Sequence, residues 1–163
     1  MGAYLAGLAP APYSATSTSN EKPMRANLTR FLEAQAGSYP AALAEMQNGR
    51  KRSHWMWYIF PQIQGLGFSE TARFYAIQDL REAEEYARHP VLGARLVEIS
   101  TALLGVKSSD ASAAMGSPDD LKLKSSMTLF AAVPGADPVF RAVLAKFFGG
   151  VPDEKTLRII GAG

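Results

Sequence analysis

From Pro90 onward the apolar residues Leu92, Leu96, Ile99, Leu103 and Val106 step by four and three, which places them on one face of a helix. The same rhythm recurs in shorter segments. Asn27 is a candidate cap for a helix carrying Leu28, Phe31 and Leu32. Pro40 suits the first turn of one carrying Leu43 and Met46, which Asn48-Gly49 stops. Ser69-Glu70 opens a segment through Ala76, and Asp79 with Glu82 fits a capping box for a helix ending near His89. Ser117-Pro118-Asp119-Asp120 combines an N-cap, a first-turn proline and two acids near the positive helix end. Asp137-Pro138 repeats the device before Phe140, Val143, Leu144 and Phe147, and Gly149-Gly150 ends that helix. No long run alternates apolar and polar residues as half-buried strands do, and the one β-flavoured stretch, Trp55 to Phe60, is short. The expected fold is all-α, a compact single-domain bundle of several helices.

The ends refine this picture. Residues 1–20 carry no charge and are dominated by Ala, Pro, Ser, Thr and Gly. Residues 1–26 are expected to form a loose or surface-lying extension, with an export signal as the alternative, and residues 27–160 the helical domain. The apolar run Ala3 to Ala9 is far short of a membrane span, and the expected location is the cytoplasm. With 163 residues, 47% apolar and 20% charged, the chain can build its own core. Seventeen basic against fifteen acidic residues leave +2, too weak a field to argue for nucleic acid. The absence of cysteine removes disulfides and thiolate chemistry, and two histidines, His54 and His89, cannot make a three-His zinc site. No metal and no cofactor are expected. His89, before Pro90, reads as a cap or surface residue.

Two stretches remain as candidates for chemistry. Ser53 to Ser69 holds Trp55, Trp57, Tyr58, Phe60 and Phe68 without one charge, with His54 and Gln62 among them and Arg50-Lys51-Arg52 directly before. These rings either fill the core or line a pocket in which Trp55 or Trp57 stacks on a flat ligand while His54 and Gln62 orient it. The basic triplet, Arg52 included, is either a solvated charge run or a small site for a phosphate or carboxylate. The second stretch, Gly116 to Phe130, loses its charge after Lys124 and carries the stripe Leu123, Met127, Phe130. A helix of that kind is central and buried on most sides. Its hydroxyls Ser125, Ser126 and Thr128 then bond carbonyls one turn earlier, or line a polar cavity with Lys122 or Lys124 at its rim. Asp119 and Asp120 are cap residues or bases at a cleft edge.

The runs His54-Trp-Met-Trp-Tyr-Ile-Phe-Pro-Gln62, Gly65-Leu-Gly67, His89-Pro-Val-Leu-Gly93 and Gly116 through Phe130 resemble the domain-of-unknown-function family 1810 over roughly residues 28–160. The resemblance implies a mostly helical single domain and brings no established activity. Bacterial members sometimes carry the label calpastatin, but inhibitors of that kind are disordered until bound, and this chain has apolar faces for its own core. A fainter likeness, from Lys124 to Met127 and then Phe140, Leu144 and Phe147, is to the helical NADAR family, associated with ADP-ribose and N-glycoside cleavage. Together these readings give an expectation: a small anionic or nucleotide-like ligand held where the His54–Gln62 segment meets the Gly116–Phe130 helix. Its alternatives are an N-glycosidic-bond hydrolase using His54, Asp119 or Asp120, and a non-catalytic module for a protein partner.

Overall fold

A computed structural model describes residues 27–161, so the expected extension over 1–26 lies outside the described residues. Ten helices follow one another among the described residues: α1 (Thr29–Ala36), α2 (Tyr39–Gln47), α3 (Met56–Ile59), α4 (Glu70–Tyr75), α5 (Leu80–Arg88), α6 (Leu92–Leu104), α7 (Ala111–Met115), α8 (Asp119–Ala131), α9 (Val139–Phe148) and α10 (Glu154–Ile160). The one extended pairing among the described residues is an isolated parallel bridge between Ile63 and Ile77. The fold is all-α. No described helix is long and apolar enough to cross a membrane.

The loss of charge after Lys124 becomes packing in α8, where Leu123 and every residue from Ser125 to Ala131 are buried. This helix is the axis of the molecule, with α5, α7, α9 and α10 against it, while α6 packs on α2, α5 and α9. The four-and-three stripe is the inner face of α6, with Leu92, Leu96, Ile99 and Leu103 shut off from solvent. A chain of rings crosses the core: Phe31 to Tyr86 at 5.1 Å, Tyr86 to Phe130 at 5.3 Å, Phe130 to Phe140 at 6.0 Å. It joins α1, α5, α8 and α9 with side chains that each remove a large apolar area from water. Gly93 lets α5 and α6 meet closely, because a Cβ there would lie 2.1 Å from the Ala87 carbonyl oxygen.

Several helix starts follow the sequence. Ser69 Oγ accepts from the Ala72 amide, and Asp79 Oδ1 from the Glu82 amide at 2.8 Å. The reciprocal half of the box is displaced: Glu82 accepts from the Gln78 amide at 2.7 Å and pairs with Arg30 at 3.3 Å. His89 Nδ1 accepts from the Val91 and Leu92 amides, capping α6 from the junction with α5. Gly149 takes a left-handed conformation (φ +61°) to end α9.

The β-flavoured stretch Trp55 to Phe60 is helical at its centre, where Met56–Ile59 make one turn. One expectation needs correction. Ser117 does not cap α8; Pro118 occupies that position after a cis peptide bond and offers no side-chain bond of its own. Helices α7 and α10 were not anticipated, although Asp110 and Asp153 cap them through their carboxylates.

Candidate functional site

The segment after α2 is fixed by one carboxylate. Glu45 accepts from the Arg52 amide at 2.8 Å, the Ser53 amide at 3.1 Å and Trp55 Nε1 at 2.8 Å, and also from the Ser53 hydroxyl. Burial raises its pKa, but the four donors outweigh that and hold it down at about 2. Trp55 is thereby core: its ring is buried, its N–H is satisfied, and Lys51 Nζ lies 5.0 Å from the ring centroid. Lys51 Nζ also donates to the Ser53 carbonyl at 2.6 Å and pairs with Asp119 Oδ2 at 2.9 Å, binding the segment to the start of α8.

Two residues on, Trp57 is half-buried and faces a cleft of about 440 Å³. Gln62 and Ser125 meet in its lining, where Gln62 Nε2 donates to Ser125 Oγ at 2.6 Å and Ser125 donates to the Lys122 carbonyl at 3.1 Å. The parallel bridge sets Gln62, since its carbonyl accepts from the Ile77 amide and the Gln64 amide returns a bond to Ile77. Lys122 Nζ lies 5.4 Å from the Trp57 ring centroid and 3.7 Å from Asp119 Oδ1. Trp57, Gln62, Lys122 and Ser125, far apart in sequence, are therefore neighbours around one hollow.

The other sequence candidates lie elsewhere. The His54 side chain is exposed and Arg52 projects outward, engaged only through its amide. Neither lines the cleft. Trp55 and Ser126 are buried away from the cleft: the indole is spent on Glu45, and the Ser126 hydroxyl is enclosed without a partner. Lys124 is outside the lining; its carbonyl accepts from Thr128 Oγ1 at 2.8 Å. Asp119 gives one carboxylate oxygen to each of two lysines, and Asp120 Oδ1 accepts from the Leu121 amide. Neither carboxylate lines the cleft.

Apart from Phe68, the remaining lining was not singled out in the sequence. Leu66 to Ser69 and Ala72 form one side, Pro118 and Leu121 another, and Asp153 and Lys155 come from the start of α10. Thr128 brings α10 there, because its hydroxyl accepts from the Asp153 amide at 2.8 Å. Asp153 itself is occupied as the α10 cap, accepting from the Thr156 amide and hydroxyl. Phe68 and Leu121 stand 69% and 62% exposed at the opening. An N-cap aspartate at Asp153 was legible in principle, but its nearness to Gln62 was not. A larger hollow of about 610 Å³ lies between the α5–α6 junction and the α8–α9 loop. Its lining is mainly small and apolar, and its charged members are engaged: Arg88 with Glu84 at 2.7 Å, Asp137 as acceptor from the Val139 amide. Size alone therefore does not make it the better site; converging polar groups favour the smaller cleft.

The crystal structure of the conserved hypothetical protein Rv1873 from Mycobacterium tuberculosis is similar to this chain at 45% identity, with a TM-score of 0.81, covering 83% of this chain and 97% of that one. No curated protein matches the sequence. The fainter likeness to the NADAR family gains no support from these matches. The family model described as "Protein of unknown function (DUF1810)" matches residues 25–160, which include every residue of the cleft, and the chain belongs to that family.

Proposed function

We propose that this protein binds a small anionic, ring-bearing ligand, nucleotide-like in character, in the cleft between Trp57 and the first turns of α8. The observation that carries the reading is the hydrogen-bonded pair Gln62–Ser125 set in a hollow walled by a half-buried indole and a lysine. An indole face offers stacking to a flat ring, the Gln62 amide can read a polar edge, and Lys122 and Lys155 supply positive charge. The volume suits a molecule of nucleotide size. The lining holds one carboxylate, Asp153, already engaged as a helix cap, so the chemistry on hand favours binding over hydrolysis.

A panel of nucleoside monophosphates and sugar phosphates tests this by thermal shift and calorimetry. A ligand at a hundredfold its Kd raises stability by about 2.7 kcal/mol. Trp57→Ala is expected to abolish that gain. A flat response to the whole panel, or a gain that survives the substitution, overturns the reading.

A protein-partner reading draws on a different observation: Phe68, Phe74 and Leu121 are exposed apolar side chains, two of them at the mouth of the cleft. Replacing Phe68 and Leu121 with Ser separates the two. A docking surface loses its partner, whereas a cleft whose recognition sits on Trp57 and Lys122 keeps a small ligand within a fewfold.

A further inference from the structure

Around the N-terminus of α8, ring, cation and carboxylate alternate. Trp55 carries Lys51 on its face, Lys51 pairs with Asp119, Asp119 pairs with Lys122, and Lys122 reaches the face of Trp57. The two lysines are not equivalent. The Lys51 side chain is 8% exposed, sits 2.9 Å from Asp119 and also holds the Ser53 carbonyl, so its charge is spent. Lys122 is 28% exposed, stands off at 3.7 Å, and shares a carboxylate that the closer lysine already neutralises. Two cations on one anion leave one positive charge, and it resides on the lysine that lines the cleft.

From this we infer that Lys122 determines the cleft's specificity for an anionic group beside a planar ring, and that Asp119 is a positioning residue that tempers its charge. The inference rests on the cleft reading above. The ligand class is a planar heterocycle or aryl ring bearing a phosphate or carboxylate, with the ring against Trp57 and the anion on the ammonium. A charge-assisted contact of this kind is roughly twice as strong as a neutral one, so it separates ligands that differ only in the anion. Lys155, exposed on the far wall, adds attraction without a fixed geometry.

The probes are four nucleoside 5′-monophosphates and their parent nucleosides, measured by calorimetry at two salt concentrations. The unaltered protein is expected to prefer a monophosphate over its nucleoside by about tenfold or more. Lys122→Gln is expected to erase that preference while leaving nucleoside binding within a fewfold, and Lys122→Arg to restore part of it. Asp119→Asn removes the shared anion and is expected to move the preference in the opposite direction, upward, which a merely structural role could not do. Because Lys51 is then left unpaired, thermal unfolding of Asp119→Asn is recorded alongside, and the Lys122 variants stand alone if it does not fold. Equal binding of nucleoside and monophosphate, or a preference untouched by Lys122→Gln, overturns this inference and leaves the cleft reading standing. Binding of no probe at all overturns the cleft reading and this one with it.

Discussion

Trp55 and Trp57 stand two residues apart and meet opposite surroundings. Around Trp55 every polar group is paired: the indole N–H with Glu45, the lysine on its face with Asp119 and a carbonyl. Around Trp57 about 440 Å³ of open volume lies against the ring, and Lys122 stands 5.4 Å from its centroid and 3.7 Å from Asp119. A short helical turn, Met56–Ile59, turns one ring inward and leaves the next half-exposed. Satisfied groups fix a position at low free energy, while groups left short of partners retain the capacity to bind something else. Two hydroxyls of α8 are each doubly engaged but at different places: Thr128 between the Lys124 carbonyl and the Asp153 amide, Ser125 between the Lys122 carbonyl and Gln62 in the cleft wall.

The strongest way to break this comparison is truncation of the inner ring. Trp55→Ala is expected to cost about 3–5 kcal/mol, read as a shift in the urea midpoint at constant slope. A loss below about 1 kcal/mol would mean the ring is not core.

Glu45 comes next. Its carboxyl is lowered from 4.5 to about 2 in the folded chain, so its contribution is fully present above pH 4.5 and fades as pH falls toward 2. Discounted for partial exposure, that contribution is about 2 kcal/mol. Glu45→Gln is expected to cost about that much at pH 7, with the gap to the unaltered protein narrowing between pH 4.5 and pH 3. A gap independent of pH would show that the charge is not what holds the segment.

Much of this could be read before any coordinates. The α6 stripe, the uncharged α8 and the caps at Ser69 and Asp79 are local signals, in which residue type and spacing determine the outcome within one turn. The partners of Ser125 and Thr128 were also foreseeable as carbonyls one turn back. The cleft was legible in half. Trp57, Gln62, Phe68, Lys122 and Ser125 belong to the two stretches singled out in the sequence, but Ala72, Asp153 and Lys155 join them only through long-range packing. His54 lies apart from the cleft because the Glu45 clamp sets the local chain so that alternate residues Arg52 and His54 are exposed.

The outer ring gives a smaller effect on folding than the inner one. Trp57→Ala is expected to cost about 1 kcal/mol, since a half-buried side chain loses less contact and leaves no closed cavity. A loss approaching that of Trp55→Ala would place both rings in the core and close the difference between the two faces.

His54→Gln carries the smallest expected effect, and it probes the comparison from a third side. The imidazole is exposed; only its backbone carbonyl is engaged, accepting from the Tyr58 hydroxyl at 3.5 Å, and Gln leaves that carbonyl in place. The change in stability is therefore expected to stay within about 0.5 kcal/mol. Ligand-induced stabilisation by the nucleotide panel is expected to persist, because recognition rests on Trp57, Gln62 and Lys122, and His54 is not in the cleft wall. If stabilisation instead vanished in His54→Gln with folding unchanged, recognition would belong to the Arg50–His54 ridge, and the open space beside Trp57 would be a packing defect with no ligand of its own.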